Sequence, residues 1–296
     1  MLVEHSIWFK KLVMMENIII SNPEKLEEKK KAIFKDGAEK LQIISDFDRT
    51  LTRSFVDGQK SFSLISVLGE GNYLTHDYSQ KAQALFEKYY PIEKDPNIII
   101  SEKKKMMSEW WQSHFELLID SELNKRDIEK AIDSGKVEFR EGASDFFDSL
   151  SFKKIPLIIL SANGLGKDAT EMFFEKNGKM FENTYIISNS LEWNEKGDMI
   201  GFREPIIHSM NKDDIFLKDF PDIFQRVENR KNVLLLGDNL GDVKMANGFE
   251  YENLIKIGFL NEGIEQHLEY YKDNYDIVML NDSPMDYINE LLKEIL

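Results

Sequence analysis

The chain of 296 residues contains no cysteine. This absence excludes disulfides, thiolate metal sites and cysteine nucleophiles, and it suits a reducing compartment. No apolar run approaches the roughly 20 residues that span a bilayer. Charged residues interrupt the apolar stretches of the N-terminus, whereas a signal peptide has an unbroken apolar stretch. We therefore expect a cytoplasmic protein whose chemistry rests on carboxylates, hydroxyls, amines or a metal.

Positive charge is also scarce, with 38 Lys and Arg against 53 Asp and Glu and a formal net charge of -15. Such a chain is a poor partner for nucleic acid polymers and anionic membranes. We expect a monomer that binds a small molecule. If that molecule is an anion, a bound cation and a few local basic groups must reverse the field at the site.

Three short apolar runs predict strands that are buried on both faces of a parallel sheet. They are Leu41–Ile44, Ile155–Leu160 and Val233–Leu236, and a polar cluster follows each one. Ligands of open α/β sheets bind outside the carboxyl ends of the strands. We therefore expect the three polar clusters to meet in one crevice, although they are far apart in the sequence.

About a hundred residues separate the first two predicted strands, which is too many for a single crossover helix. Three helical patterns between residues 81 and 132 predict an inserted helical cap instead. The expected fold class is α/β: a Rossmann-like, doubly wound parallel sheet with this cap. We expect residues 1–55 and 137–296 to form the catalytic core and residues 56–136 to form the cap.

The segment Asp46-Phe47-Asp48-Arg49-Thr50-Leu51-Thr52 carries two carboxylates, at i and i+2, directly after the first predicted strand. Because the chain turns out of its strand here, Asp46 and Asp48 can approach one substrate from different sides. One carboxylate can attack phosphorus while the other, held protonated, protonates the leaving oxygen. An isolated Asp-x-Asp pair is usually an ordinary acidic turn, but the full string and the clusters at the other strand ends favour catalysis.

Two further positions could bind an anionic group. The stretch Ser161-Ala162-Asn163-Gly164 offers a hydroxyl and consecutive backbone N–H groups after the second predicted strand. Alone it is more often a turn or a helix N-cap, but its place at a strand end favours phosphate binding. Lys212 precedes the third strand by about twenty residues. A lysine is usually at the surface, whereas here it could hold phosphate and balance the crowded carboxylates.

The loop Gly237-Asp238-Asn239-Leu240-Gly241-Asp242 places two carboxylates at i and i+4 after the third predicted strand. Hard oxygen ligands of this kind suit Mg2+. A calcium loop would need more ligands than residues 243–246 provide. We therefore predict Mg2+ as the cofactor, shared between this loop and Asp46.

Together these motifs resemble those of the haloacid dehalogenase superfamily, and longer segments resemble the class III cytosolic 5'-nucleotidases, also called pyrimidine 5'-nucleotidases. The resemblance runs from about residue 24 to the C-terminus. It includes a Tyr-Tyr-x-Ile-Glu-x-Asp-Pro segment, residues 89–96, that is particular to this family. The segments that carry the resemblance are residues 45–52, 86–96, 109–111, 141–147, 161–162, 211–213, 234–242 and 255–261.

The resemblance implies a role for each matching residue. Asp46 would be the nucleophile that forms an aspartyl-phosphate, and Asp48 would act as general acid and then as base. Mg2+ would bind Asp46, the backbone carbonyl of Asp48, and Asp238, with Thr50 and Asp242 in supporting positions. The substrate would contact Glu93 and Trp111 at the nucleoside and Ser161, Ala162, Asn163 and Lys212 at the phosphate.

Two departures from the family pattern affect the expected substrate. Asn163 stands where the family commonly has glycine, which reduces backbone freedom and adds an amide that could contact the substrate. Residues 61–68 lack the polar, Cys-containing pattern of the pyrimidine-specific members. UMP, CMP and 7-methylguanosine monophosphate therefore all remain candidate substrates.

The expected function is hydrolysis of a nucleoside 5'-monophosphate to nucleoside and phosphate. One alternative is a phosphatase of the same superfamily that acts on another small phosphomonoester. A second is phosphotransfer to a nucleoside, because a covalent intermediate can react with any hydroxyl that fits. A third is a catalytically silent nucleotide-binding protein, although Asp46, Asp48, Ser161, Lys212 and Asp238 are all present.

Overall fold

The computed structural model describes residues 16–71, 73–95 and 97–296. Residues 1–15, with which the predicted core begins, and Asn72 and Pro96 of the predicted cap lie outside these ranges. Within them, no helix combines the length and the apolar character that crossing a bilayer requires.

A seven-stranded, mostly parallel sheet forms the centre of the molecule. The strands of the described residues are Ile18–Ile20 (β1), Leu41–Ser45 (β2), Phe55–Val56 (β3), Gln59–Lys60 (β4), Leu157–Leu160 (β5), Thr184–Ile187 (β6), Ser190–Trp193 (β7), Met199–Arg203 (β8), Asn232–Gly237 (β9), Asn253–Leu260 (β10) and Ile277–Leu280 (β11). The order in the main sheet is β1-β11-β10-β9-β2-β5-β6, and only β1 is antiparallel to its neighbour. Two antiparallel hairpins, β3–β4 and β7–β8, lie outside it.

Every residue of β2, β5 and β9 is buried, which explains their continuous apolar runs. Successive side chains point to opposite faces of the sheet. Ile43 and Leu234 therefore join one hydrophobic cluster, whereas Ile44 and Leu235 join a second one. The sheet is covered on both faces, as the predicted doubly wound fold requires.

The described residues contain ten α-helices. They are Pro23–Asp36 (α1), Leu64–Glu70 (α2), Tyr78–Lys94 (α3), Ile100–Asp120 (α4), Lys125–Asp133 (α5), Ala143–Phe152 (α6), Gly166–Lys176 (α7), Pro221–Val227 (α8), Ile264–Asn274 (α9) and Asp286–Ile295 (α10). Local signals explain both ends of α1. Asn22 caps α1 by accepting a hydrogen bond from the Lys25 N–H, and Gly37 ends the helix with a φ of +78°.

Helices α2–α5 form the helical cap, which lies between β2 and β5 in the sequence as predicted. The α/β fold class with this insertion is confirmed. Helices α3 and α4 pack against each other, and the ring of Tyr89 stacks on Trp110 at a centroid distance of 5.8 Å. The β7–β8 hairpin adds Phe202 against Phe115 of α4, at 5.1 Å. Helix α2 was not predicted, because its seven residues are too few for a clear periodic pattern.

Candidate active site

The sheet brings the carboxyl ends of β2, β5 and β9 side by side. Ser45, the last residue of β2, pairs with Ile159 on one side and with Leu236 on the other. The backbone N–H of Asp46 still donates to the Leu236 carbonyl, at 3.0 Å. The polar segments that follow the three strands therefore meet at one edge of the sheet, as the sequence predicted.

Three carboxylates and one lysine form the centre of this edge. One carboxylate oxygen from each of Asp46, Asp238 and Asp242 lies within 4.8 Å of the others. The Lys212 Nζ donates to Asp46 Oδ1 at 2.5 Å and to Asp242 Oδ1 at 2.7 Å. Lys212 is only 3% exposed, and an ammonium group is stable at such a site only when it is paired.

Burial dominates the ionisation of this group. It raises the pKa of Asp46 well above the usual aspartate value, an effect that Lys212 opposes and the other two carboxylates reinforce. Burial and the neighbouring Asp242 raise the pKa of Asp238 to about 7. Burial alone would lower the pKa of Lys212, but Asp242 and Asp46 raise it above the usual lysine value. One ammonium thus faces three crowded carboxylates.

Asp48 occupies the turn that follows β2. The Phe47 carbonyl accepts the N–H groups of Leu51 and Thr52, and Arg49 adopts a left-handed backbone with a φ of +60°. Asp48 Oδ1 is buried and has no hydrogen-bond partner among the described residues. Burial raises the pKa of Asp48 to about 6, against the opposing charges of Arg49 and Lys212. Asp48 can therefore retain a proton closer to neutral pH than an ordinary aspartate.

The hydroxyl of Thr50, in the same turn, is likewise buried and without a hydrogen-bond partner among the described residues. Its backbone carbonyl accepts a hydrogen bond from the Arg140 Nε at 2.8 Å. Thr50 thus contributes to the turn through its backbone, while its side chain is enclosed beside the predicted catalytic carboxylates.

The loop after β9 is organised around Asp242. The Oδ2 atom of Asp242 accepts the backbone N–H groups of Asp238 and Asn239, both at 3.1 Å. A Cβ atom at Gly237 would lie only 2.4 Å from the Cβ of Asp242, so this position requires glycine. Asp242 therefore holds Lys212 with one carboxylate oxygen and the loop backbone with the other.

The loop after β5 is held together internally. The Ser161 Oγ accepts the Asn163 N–H at 3.2 Å. The Asn163 amide accepts the Leu165 N–H at 2.8 Å and donates to the Thr170 hydroxyl at 3.3 Å. Asn163 is only 3% exposed. Both polar atoms of this amide therefore have partners within the loop, as a buried amide requires, and its contact with substrate stays a prediction.

A cleft of about 620 Å³ separates the cap from the carboxyl ends of the strands. Arg49, Tyr90, Glu93 and Asp238 are among its lining residues. Glu93 lies in the last turn of α3, and its carboxylate accepts the Ser209 hydroxyl at 2.5 Å. The structure therefore places Glu93 across the cleft from the acidic group.

A second cavity of about 410 Å³ lies within the cap and shares Phe62, Ser66 and Phe86 with the cleft. Trp111 lines this inner cavity. A Cβ atom at Gly164 would lie 2.4 Å from the Trp111 ring, so the indole packs directly over the loop that follows β5. Trp111 thus joins the cap to the predicted phosphate loop.

Residues 49–296 match the pyrimidine 5'-nucleotidase (UMPH-1) family. The chain belongs to this family. It is also 37% identical over 279 residues to the 7-methylguanosine phosphate-specific 5'-nucleotidase A of Xenopus laevis, across 94% of this chain and 95% of that protein. The resemblance drawn from the sequence is therefore confirmed.

Two solved structures extend the comparison of this pyrimidine 5'-nucleotidase family member. Cytosolic 5'-nucleotidase IIIB, crystallised with cytidine, superimposes with a TM-score of 0.83 at 28% identity, covering 94% of this chain and 93% of that one. A haloacid dehalogenase family hydrolase from Salmonella enterica reaches a TM-score of 0.52 at 14% identity, covering 87% and 73%. The second likeness shows the fold alone.

The acidic group of this family member fits a divalent cation. Its three carboxylates are close enough to share one ion, and carboxylate oxygens are preferred ligands of Mg2+. Lys212 supplies a single positive charge to the group. The buried Asp48 oxygen without a partner adds a further acceptor to the same edge of the sheet.

Sequence reasoning missed a buried ion pair behind the Asp46–Thr52 turn. Arg140 is 2% exposed, bonds Asp282 at 2.8 Å and also donates to the Arg49 carbonyl. Asp282 accepts the Ser54 N–H at 2.8 Å, where the chain leaves for the cap. Arg140 therefore holds the turn at Arg49, and Asp282 holds the chain at Ser54, where it leaves for the cap. The sequence holds only a weak signal for it, since Arg140 directly precedes the family segment at residues 141–147.

Proposed function

We propose that this protein is a Mg2+-dependent 5'-nucleotidase that hydrolyses a nucleoside 5'-monophosphate through an aspartyl-phosphate on Asp46. The observation that carries the proposal is the meeting of Asp46, Lys212, Asp238 and Asp242 at the strand ends beside a cleft large enough for a nucleotide. Family membership and the nucleotidase names of the relatives support the same reaction.

In the first step, the Asp46 carboxylate attacks phosphorus in line with the leaving 5'-oxygen. Asp48 donates its proton to that oxygen, which is consistent with its raised pKa of about 6. In the second step, Asp48 accepts a proton from the water that attacks the aspartyl-phosphate. Lys212 stabilises the charge on the phosphoryl oxygens throughout.

Asp46, the Asp48 backbone carbonyl and Asp238 would hold Mg2+, with Asp242 and Thr50 in support. A bound Mg2+ would neutralise charge on the phosphoryl group and favour the ionised form of Asp46. Ser161 and the backbone N–H groups of Ala162 and Asn163 would bind the phosphate, with the Asn163 N–H exchanging the Ser161 Oγ for a phosphate oxygen. The strong negative charge of the chain is thus reversed locally at the substrate.

The nucleoside would lie in the cleft between the core and the cap. Glu93 offers a carboxylate to its hydroxyl or base donors, and the half-exposed rings of Phe86 and Tyr90 offer stacking surfaces. Trp111 would contact the base where the inner cavity opens into the cleft. Pyrimidine nucleotides such as UMP and CMP and 7-methylguanosine monophosphate are the proposed substrates, in keeping with the family name and the relatives' names.

Three sequence expectations remain proposals. The first is the division into a core of residues 1–55 and 137–296 and a cap of residues 56–136, which the positions of β2, α2–α5 and α6 support. The second is a monomeric state. The third is a cytoplasmic location, which fits the cytosolic names of relatives.

The test is phosphate release in the presence of Mg2+ from UMP, CMP, AMP, GMP, 7-methylguanosine monophosphate, phosphoserine and glucose 6-phosphate. We expect turnover of one or more nucleotides that falls at least about 1,000-fold in Asp46→Asn, because the amide cannot act as the nucleophile. Omission of metal should have a comparable effect.

Each alternative function predicts a different result in this panel. Activity on phosphoserine or glucose 6-phosphate alone would reject the nucleotidase assignment. A nucleotide product formed when excess nucleoside is added would indicate phosphotransfer. Nucleotide binding without any phosphate release would favour the silent binding protein.

A further inference from the structure

Two tyrosines behind the loop Gly237–Asp242 contact its backbone directly. The Tyr271 hydroxyl donates to the Asp238 carbonyl at 2.5 Å, and the Tyr275 hydroxyl donates to the Asn239 carbonyl at 2.6 Å. Tyr271 lies in the last turn of α9, and Tyr275 is the residue that caps the C-terminal end of this helix, with its backbone N–H donating to the Tyr271 carbonyl. Their rings stack at a centroid distance of 5.4 Å and are 7% and 2% exposed.

The hydrogen bonds of Asp242 complete this arrangement. Its Oδ2 atom accepts the N–H groups of Asp238 and Asn239, the same two residues whose carbonyls the tyrosines hold. Side chains therefore bind the backbone N–H and the backbone carbonyl of both Asp238 and Asn239. A loop that is held in this way has little freedom to change the direction of the Asp238 carboxylate.

Two glycines in neighbouring strands provide the space that the arrangement needs. Gly237 of β9 and Gly258 of β10 are paired in register. A Cβ atom at Gly258 would lie 2.5 Å from the Tyr275 ring, and one at Gly237 would lie 2.4 Å from Asp242. Glycine at both positions allows the tyrosine ring and the carboxylate to pack against the sheet below the loop.

We propose that Tyr271 and Tyr275 are positioning residues that set the affinity of the acidic site for its divalent cation. This inference rests on the proposed function, in which Asp238 is a metal ligand. Both tyrosines lie behind the loop, and they act through the backbone carbonyls of Asp238 and Asn239. Side chains that orient metal ligands typically change metal affinity by about 10–100-fold when they are removed.

The test uses Tyr271→Phe, Tyr275→Phe and the double variant, which remove only the hydroxyls. Tyr270→Phe is the matched control, because Tyr270 lies on the same helix but is 61% exposed. Mn2+ binding to the nucleotide-free protein is measured by electron paramagnetic resonance, with Mn2+ as a paramagnetic substitute for Mg2+. Phosphate release from the best substrate is then measured as a function of Mg2+ concentration.

We expect the double variant to bind Mn2+ about 10–100-fold more weakly and to need correspondingly more Mg2+. At saturating Mg2+ its kcat should stay within threefold of wild type, a separation that a general loss of structure would not give. Each single variant should show a smaller weakening in the same direction, and Tyr270→Phe should behave as wild type. If the double variant does not fold, the single variants are judged by the same criterion.

Metal affinities within twofold of wild type in the variants would overturn this inference and leave the proposed function intact. A wild-type protein that binds no Mn2+ and needs no Mg2+ would overturn both. Weakened Mn2+ binding in the variants of a protein that hydrolyses no phosphate ester would support the inference while rejecting the proposed function.

Discussion

The two sides of the candidate active site differ in how firmly the protein holds their side chains. On the core side, Asp46, Lys212 and Asp242 are 5%, 3% and 0% exposed, and the Lys212 ammonium donates to both carboxylates. On the cap side, Phe86 and Tyr90 are 43% and 40% exposed and stack on each other at 4.6 Å. The chemical groups are thus fixed before substrate arrives, whereas the groups proposed to recognise the nucleoside border an open cleft.

This difference suits the two tasks. Phosphoryl transfer depends on charges that are already oriented, because reorientation during the reaction would add to the barrier. Recognition of a base depends on surfaces that must remain accessible to the entering ligand. The comparison predicts that changes on the core side lower kcat, while changes on the cap side raise KM.

Among the changes that test this comparison, the largest effect is expected for Lys212→Met, which removes the cation between Asp46 and Asp242. We expect kcat at saturating Mg2+ and nucleotide to fall by about 100–1,000-fold, in line with the loss of one charge-stabilising donor. Lys244→Met is the control, because Lys244 is 55% exposed and lies near the loop Gly237–Asp242. The kcat of this variant should stay within twofold of wild type. A loss of less than tenfold for Lys212→Met would break the distinction between the two sides.

A smaller effect is expected for Tyr90→Ala on the cap side. Loss of a stacking ring costs about 1–3 kcal/mol of base binding, so KM for the nucleotide should rise about tenfold while kcat changes little. Ribose 5-phosphate, which lacks a base, should be hydrolysed as by wild type. Tyr251→Ala is the control, since Tyr251 is 43% exposed but precedes the opposite end of β10. If Tyr90→Ala lowered kcat and left KM unchanged, the comparison between the two sides would be contradicted.

The smallest effect is expected on the free energy of unfolding. It tests whether the interior of the cap, unlike its open surface, keeps a buried histidine neutral. Burial lowers the pKa of His114 to about 4, whereas the unfolded chain titrates near the ordinary value of 6.5. Between these values the unfolded state binds a proton that the folded state does not. The contribution of His114 to the free energy of unfolding should therefore decrease as pH falls from 6.5 to 4, by up to about 1.4 kcal/mol per pH unit, whereas the raised pKa values of Asp48 and Asp238 act in the opposite direction.

This pH dependence can be measured by urea unfolding at several pH values between 7 and 4.5. Relative to wild type, His114→Gln should lose less stability as pH falls, because glutamine does not titrate and the His114 contribution is removed. His267→Gln, a change at an exposed histidine, should leave the slope as in wild type. An unchanged slope in His114→Gln would indicate that His114 does not remain neutral inside the folded cap.

The sequence predicted the parts of this protein that local chemistry specifies. Apolar runs identified β2, β5 and β9, and the polar residues after them identified Asp46, Ser161 and Asp238. Helical periodicity identified α3–α5 to within a few residues of their ends. These features are readable because buried parallel strands and long helices impose simple patterns on the chain.

Other features could not be read because they depend on contacts between distant segments. Arg140 meets Asp282 only when the chain after β11 returns to the turn behind Asp48. Tyr271 reaches the Asp238 carbonyl from a helix that the sequence pattern did not mark as functional. The sequence interpretation gave the Asn163 amide a possible contact with substrate, and its partners within the protein, Leu165 and Thr170, emerge only from the folded loop.

By itself, the sequence determined the fold class, the acidic and basic residues available for catalysis, and their order after the strands, since residue type and spacing carry this information. Only the tertiary structure decided the distances between them, the pKa values that burial imposes, and the positions of Glu93 and Trp111 relative to the core. Distance and burial arise from packing between segments far apart in the chain, which no local pattern encodes.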